Sequence, residues 1–181
     1  IATGFGRSGK MFACHYADVE PDIMCLGKAL TGGYVSFAAT LATDAVADAI
    51  SDGNPGLFMH GPTFMANPLA CAAANASLDL IEREGLLERI NAIGKILARE
   101  LAPLADSDAV ADVRTLGAIG VVELKKPVDM GEFQDSLVSR GVWLRPFGRL
   151  LYTMPPYIIG DEDLRTVARA MVETVRECAE K

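Results

Sequence analysis

The sequence predicts an α/β protein of two modules, because short apolar runs punctuated by glycine alternate with segments whose apolar residues recur every three or four positions. A second observation is the apolar surplus: 50% of the 181 residues are hydrophobic and mean hydropathy is +0.23. Such a surplus suits a buried parallel sheet, a large subunit interface, or both. The third is a change of character along the chain. Residues 1–84 read as the end of a large α/β domain and residues 85–181 as a smaller α/β domain, joined through the helix near residue 84.

Asp22 to Leu26 reads as a buried strand and Tyr34 to Leu41 as another, separated by the glycine-rich segment Gly27–Gly33. Asp44 to Ile50 is expected as a short helix, ended by Asp52-Gly53-Asn54-Pro55-Gly56. Asn67-Pro68 opens a long helix, since asparagine caps orphan N–H groups and proline is tolerated at the first helical position. Its alanine-rich face (Ala70, Ala73, Ala74, with Ala76 beside them) permits close packing, and Gly85 interrupts it. Leu86, Ile90, Ile93, Leu97 and Leu101 then mark a second amphipathic helix.

After Pro103, Val113 to Leu124 reads as extended sheet, followed by a helix near Gly131–Arg140 with Phe133, Leu137 and Val138 on one side. Val142–Phe147 and Leu150–Met154 flank Gly148-Arg149, a hairpin signal in which Pro146 confines its strand to an edge or bulge. Asp161 starts a last helix with acids in its first turn and Leu164, Val167, Ala168, Met171, Val172 and Val175 on one face.

Net charge is −7 and no basic run exceeds Lys125-Lys126, which argues against nucleic acid and anionic membrane surfaces as partners. No apolar run approaches the roughly 18 residues a membrane span needs. The four cysteines form no C-x-x-C pair, which fits reduced thiols in a cytoplasmic protein rather than a zinc site or disulfide framework. His15 and His60 share no ligand spacing, so no metal site is expected and each reads as a hydrogen-bonded polar residue. Beginning at Ile1 inside a small-residue motif, the sequence reads as a fragment or a processed chain.

Gly4-Phe5-Gly6-Arg7-Ser8-Gly9-Lys10-Met11 satisfies both the G-x-G-x-x-G and the G-x-x-x-x-G-K patterns. Only three residues precede it, where a strand is required, and Met11 replaces the hydroxyl that would hold magnesium. A flexible glycine turn on the surface is the expectation here. Lys28 is different: it follows an apolar strand at once, with Gly27 before it and Gly32-Gly33 after it. A strand end is a rigid perch at the rim of an α/β sheet, and flanking glycines let a planar group approach the backbone. An amine shielded from water there can serve as nucleophile and base.

Thr3-Gly4-Phe5-Gly6-Arg7-Ser8-Gly9, Pro21-Asp22-Ile23, Leu26-Gly27-Lys28-Ala29-Leu30 and His60-Gly61-Pro62-Thr63-Phe64 with Asn67-Pro68-Leu69-Ala70 resemble the class III (fold type I) aminotransferases, in matching order across nearly the whole chain. The resemblance implies pyridoxal 5′-phosphate as cofactor, bound covalently by Lys28, which then moves a proton on the substrate. It implies that Pro62 and Thr63 meet the cofactor phosphate, with Thr63 serving the neighbouring subunit's site and so making a homodimer part of the mechanism. Gly61 is implied at the substrate mouth, where a side chain would intrude. Arg145 is implied to grip a substrate carboxylate, which a guanidinium matches with two parallel donors, and Arg7 to face the substrate region.

Three stretches (Lys28–Tyr34, His60–Met65, and Trp143–Phe147 with Tyr152–Tyr157) favour one branch of that family. This branch passes the amino group of S-adenosylmethionine to 8-amino-7-oxononanoate in biotin synthesis; its relatives act on ornithine or 4-aminobutyrate. A non-catalytic α/β binding module is the reading from another class. The resemblance also places an aspartate for the pyridine nitrogen two residues before Ile1, and a phosphate-binding turn and a stacking aromatic further upstream. None of these lies in this sequence, so the implied activity belongs to the full-length parent. The first strands are expected to lack sheet neighbours.

Overall fold

The computed structural model describes residues 1–179, which form two compact units, one of Ile1–Leu86 and one from Leu87 onward. In the first unit, β1 (Ile23–Leu26) pairs antiparallel with β2 (Ala39–Ala42), matching Ile23 to Ala42 and Leu26 to Ala39. The short connection between them holds a single 3-10 turn, Lys28–Thr31, rather than the crossover helix that parallel pairing uses. β2 is shorter than the expected Tyr34–Leu41, and β1 is not buried: Ile23 is 56% exposed and Leu26 alone is closed off. With one neighbour each, the two strands leave an edge and most of their faces open.

α1 (Asp44–Ser51) and α2 (Pro68–Arg83) follow. The Asn67 side chain accepts from the Ala70 N–H at 3.1 Å, with Pro68 at the first helical position. The buried stripe of α2 is Ala70, Ala74 and Ile81, with Ser77 and Leu78 half-buried; Ala76 is exposed and Ala73 only half-buried, so the expected alanine face is rotated. Steps of four, three and four keep Ala70, Ala74, Ser77 and Ile81 in one row.

The glycine segment near the N-terminus is not the surface turn expected. Phe5 is 2% exposed and meets Phe12 edge-on at 5.5 Å, drawing the loop inward to a cluster with Leu26, Leu30, Ala74 and Ile81. Gly6 and Gly9 take φ of 92° and 94°, which turn the chain back so that Gly6 N–H reaches the Met11 carbonyl at 3.2 Å. The two histidines make ring contacts, His15 edge-on to Phe12 and His60 stacked on Phe58.

The second unit begins with α3 (Leu86–Leu101), whose Ile90, Ile93, Leu97 and Leu101 are fully buried. β3 (Val110–Thr115), β4 (Gly120–Leu124) and β5 (Leu150–Thr153) form an antiparallel sheet in the order β3-β4-β5. The extended stretch Val113–Leu124 is thus two strands joined by a tight turn at Leu116–Ile119. α3 packs so close to that turn that a Cβ on Gly94 would stand 2.6 Å from the Gly117 carbonyl oxygen.

α4 (Met130–Ser139) is capped by Asp129, which accepts from the Glu132 N–H at 2.9 Å. It buries Phe133 and Leu137 but leaves Val138 57% exposed, because a residue five positions on from Phe133 leaves its face. The expected hairpin reduces to one rung: Phe147 and Leu150 exchange hydrogen bonds at 2.8 Å across Gly148-Arg149, and β5 takes β4 as its ladder. Pro146 has no N–H to offer, so Val142–Pro146 runs on without a strand partner. α5 (Asp161–Ala179) closes the unit, and Arg140 clamps it to α4. The guanidinium reaches Glu173 at 3.0 Å, Glu177 at 2.8 Å and the Ser136 hydroxyl at 2.7 Å. Burial draws the Arg140 pKa down, but these hydrogen-bonded carboxylates raise it further, leaving it above the ordinary arginine value.

Candidate active site

Lys28 stands where the chain leaves β1, as the first residue of the 3-10 turn Lys28–Thr31. Its φ is 50°, one of four positive values outside glycine among the described residues. A left-handed conformation costs a residue with a Cβ about 1–2 kcal/mol. Such strain clusters at working sites because the surroundings must over-determine it. Here Gly27, Leu30 and Thr31 are buried around it, Leu30 N–H returns to the Gly27 carbonyl at 3.2 Å, and Gly32 adopts φ 62° to end the turn. The lysine itself is exposed, and no carboxylate pairs with it among the described residues.

Gly61, Pro62 and Thr63 lie together in the exposed loop between α1 and α2. The Pro62 carbonyl accepts from Met65 N–H at 2.9 Å, which folds the loop just before the Asn67 cap. A Cβ built on Gly61 meets nothing within 4 Å, so within this chain no neighbour demands glycine there. The lysine turn and this loop both lean on α2: the turn packs along the helix, and the loop runs into its N-terminus.

Arg145 belongs to the second unit, in the unpaired stretch after α4, with its side chain exposed. Arg89, Arg99, Arg114, Arg140, Arg149, Arg165 and Arg169 of that unit are each ion-paired with a carboxylate. Arg145 is paired with none of the described residues. It is therefore free to take an anion from outside the chain, a distinction it shares with Arg176 on the last turns of α5. Arg7 sits half-buried in the N-terminal glycine loop.

The residues present fit a pyridoxal phosphate group: an unpaired, conformationally held lysine suits its aldehyde, and an exposed threonine hydroxyl beside a bent loop suits a phosphate, the threonine being expected to serve a neighbouring subunit's site. A cavity of about 760 Å³ belongs to the second unit alone; Asp106, Lys125, Asp129 and Phe133 line it, and no expected site residue does. Sequence reasoning missed Ser77, whose hydroxyl donates to the Ala29 carbonyl at 3.3 Å. Its place in the row Ala70–Ala74–Ser77–Ile81 was the available signal.

The family described as Aminotransferase class-III matches residues 1–175. An adenosylmethionine-8-amino-7-oxononanoate aminotransferase of Corynebacterium glutamicum is 52% identical over 97% of this chain and 42% of its own length. The protein so named in Saccharomyces cerevisiae is 41% identical over 98% of this chain and 42% of its own length. Among solved structures, the same-named enzyme of Methanocaldococcus jannaschii superposes with a TM-score of 0.87 at 35% identity, covering 98% of this chain and 44% of that one. A PLP-bound amine transaminase from an uncultivated Pseudomonas species superposes with a TM-score of 0.90 at 33% identity, covering 98% and 43%. The chain thus spans about two fifths of the length of the relatives it matches. A match across nearly all of it, with the fold of solved transaminases and a strained lysine at the end of β1, makes this chain a member of the class III aminotransferases.

Proposed function

We propose that the full-length protein transfers the amino group of S-adenosylmethionine to 8-amino-7-oxononanoate, giving 7,8-diaminononanoate, with pyridoxal 5′-phosphate as cofactor. The observation that carries this reading is Lys28, exposed and unpaired in a left-handed turn that buried neighbours hold in place. The names of the relatives in Corynebacterium and yeast supply the substrates. When bound, the cofactor supplies an electron-poor ring that stabilises charge developing at the substrate carbon. Lys28 anchors the aldehyde end through its ε-amine and, once released, holds and moves the proton at that carbon. Thr63, beside Pro62, donates its hydroxyl to the phosphate held in the neighbouring subunit's site. Arg145 pairs with a substrate carboxylate through parallel N–H donors, and Gly61 leaves the approach to the reacting carbon open.

The loop carrying Thr63 is exposed throughout, with Phe64 80% and Met65 58% exposed. That favours a homodimer in which this loop completes the site of the neighbouring subunit. No helix of the described residues is long and apolar enough to cross a membrane, and the reading assigns the enzyme to the cytoplasm. The test is donor preference in the full-length protein. Conversion of the ketone with S-adenosylmethionine, and not with ornithine or 4-aminobutyrate, is the expected result. Turnover with either of those amines and none with S-adenosylmethionine moves the protein to another branch of the family.

A further inference from the structure

Most of what holds Lys28 in its turn belongs to the turn itself. Gly32 N–H donates to the Ala29 carbonyl at 3.0 Å, Tyr34 N–H to the Thr31 carbonyl at 3.2 Å, and the Thr31 hydroxyl to the Val35 carbonyl at 2.7 Å. These bonds would travel with the segment if it shifted. A polar contact ties it to a separate element: Ser77, 48 residues on, donates its hydroxyl to the Ala29 carbonyl at 3.3 Å. That carbonyl has two lone pairs, and Gly32 and Ser77 occupy both, so the peptide following Ala29 is held from two directions. The Ser77 oxygen also lies 3.6 Å from where a Cβ on Gly32 would stand, so it lies against the residue that ends the turn. The rest of the stripe explains the reach. Ala70 and Ala74 are small and buried, which brings the backbone of α2 close enough for a one-carbon side chain to touch the turn.

We propose that Ser77 is a positioning residue for Lys28: its hydroxyl fixes the lysine turn against α2 so that the ε-amine is presented in one orientation. This rests on the reading of Lys28 as the amine that takes up the cofactor. Apolar packing of Leu30 against Ala74 and Ile81 keeps the turn near the helix, and the Ser77 bond sets which way the turn faces. The two contributions separate experimentally, because packing answers to side-chain volume and positioning to the hydroxyl.

The experiment uses the full-length protein freed of cofactor. Pyridoxal 5′-phosphate is added, the reaction is quenched with borohydride at intervals, and the modified Lys28 peptide is quantified by mass spectrometry. Ser77→Ala is expected to slow capture at Lys28 about tenfold, the order of one lost hydrogen bond. Ser77→Thr, which keeps the hydroxyl, should remain within about twofold of the unsubstituted rate. Cofactor-free melting temperatures of both variants should match that of the unsubstituted protein. Capture by Ser77→Ala at the unsubstituted rate overturns the inference, as does a Ser77→Thr variant as slow as Ser77→Ala. Should Ser77→Ala fail to fold, Ser77→Cys keeps the volume with a weaker donor; an intermediate rate supports the inference and an unchanged rate overturns it. Unsubstituted protein that leaves Lys28 unmodified defeats the cofactor reading, and this inference with it.

Discussion

The two units of this chain solve opposite problems. In the second, Ile90, Ile93, Leu97, Leu101, Leu104, Leu137, Leu151, Leu164, Met171 and Val175 have no exposed surface at all. In the first, no large apolar side chain reaches that state, and Phe5 at 2% comes nearest. The first unit instead displays Tyr34 at 89%, Met59 at 84%, Phe64 at 80% and Phe58 at 72% exposed. Burying an aliphatic or aromatic side chain is worth about 1.5–3 kcal/mol, so the second unit holds most of the stabilising burial. The unit that carries Lys28 and Thr63 holds most of the open apolar surface. Large exposed apolar patches mark interaction sites, and a chain spanning two fifths of its relatives' length leaves room for what covers them. The proposed lysine site and self-sufficient packing are thus lodged in different halves.

The sharpest way to break that division is Lys28→Ala in the full-length protein. Amino transfer should fall by at least about 10²–10⁴-fold, the span a positioned proton carrier supplies, with thermal unfolding unchanged. A variant that keeps its rate removes the chemistry from the first unit altogether. Next comes Leu97→Ala, which empties a fully buried site of α3. It should destabilise the second unit by about 2–5 kcal/mol, read as a lower urea midpoint. A smaller loss would mean that the core of this unit is looser than its burial indicates.

Asn67→Ala removes the acceptor that caps α2 at 3.1 Å. About 0.5–2 kcal/mol of stability should go with it, seen as faster amide exchange in the first turns of the helix. The smallest effect should come from Ile23→Thr, on the exposed side of β1. In residues 1–181 alone its unfolding free energy should change by no more than about 0.5 kcal/mol. A larger loss would show that the strand is covered in solution.

The elements were most legible where the information is local. The 3.6-residue period marks α3 and α5, and the Asn67-Pro68 signal marks a helix start from side chains within one turn. The misread regions share a different cause. Gly4–Gly9 looks like a surface turn until Phe5 finds Phe12 and the α2 cluster. Leu150–Thr153 looks like the second arm of a hairpin until β4 supplies a better partner. At the candidate site, Lys28 stands out from its strand-then-glycine setting, and Arg145 from family motifs alone. That Arg145 has no partner among the described residues, while so many arginines of its unit are paired, is visible only once the carboxylates are placed.

By itself the sequence determined where helices start and stop, which chain segments are apolar, and that a lysine follows a strand end between glycines. These depend on neighbours within a few positions, whose geometry the backbone dictates directly. The tertiary structure alone decided the left-handed turn of Lys28, the buried face of α2, the partner of β5, and the Ser77–Ala29 bond across 48 residues. Each of these turns on competition between distant groups for the same surface or hydrogen-bond acceptor, and only the folded chain resolves that competition.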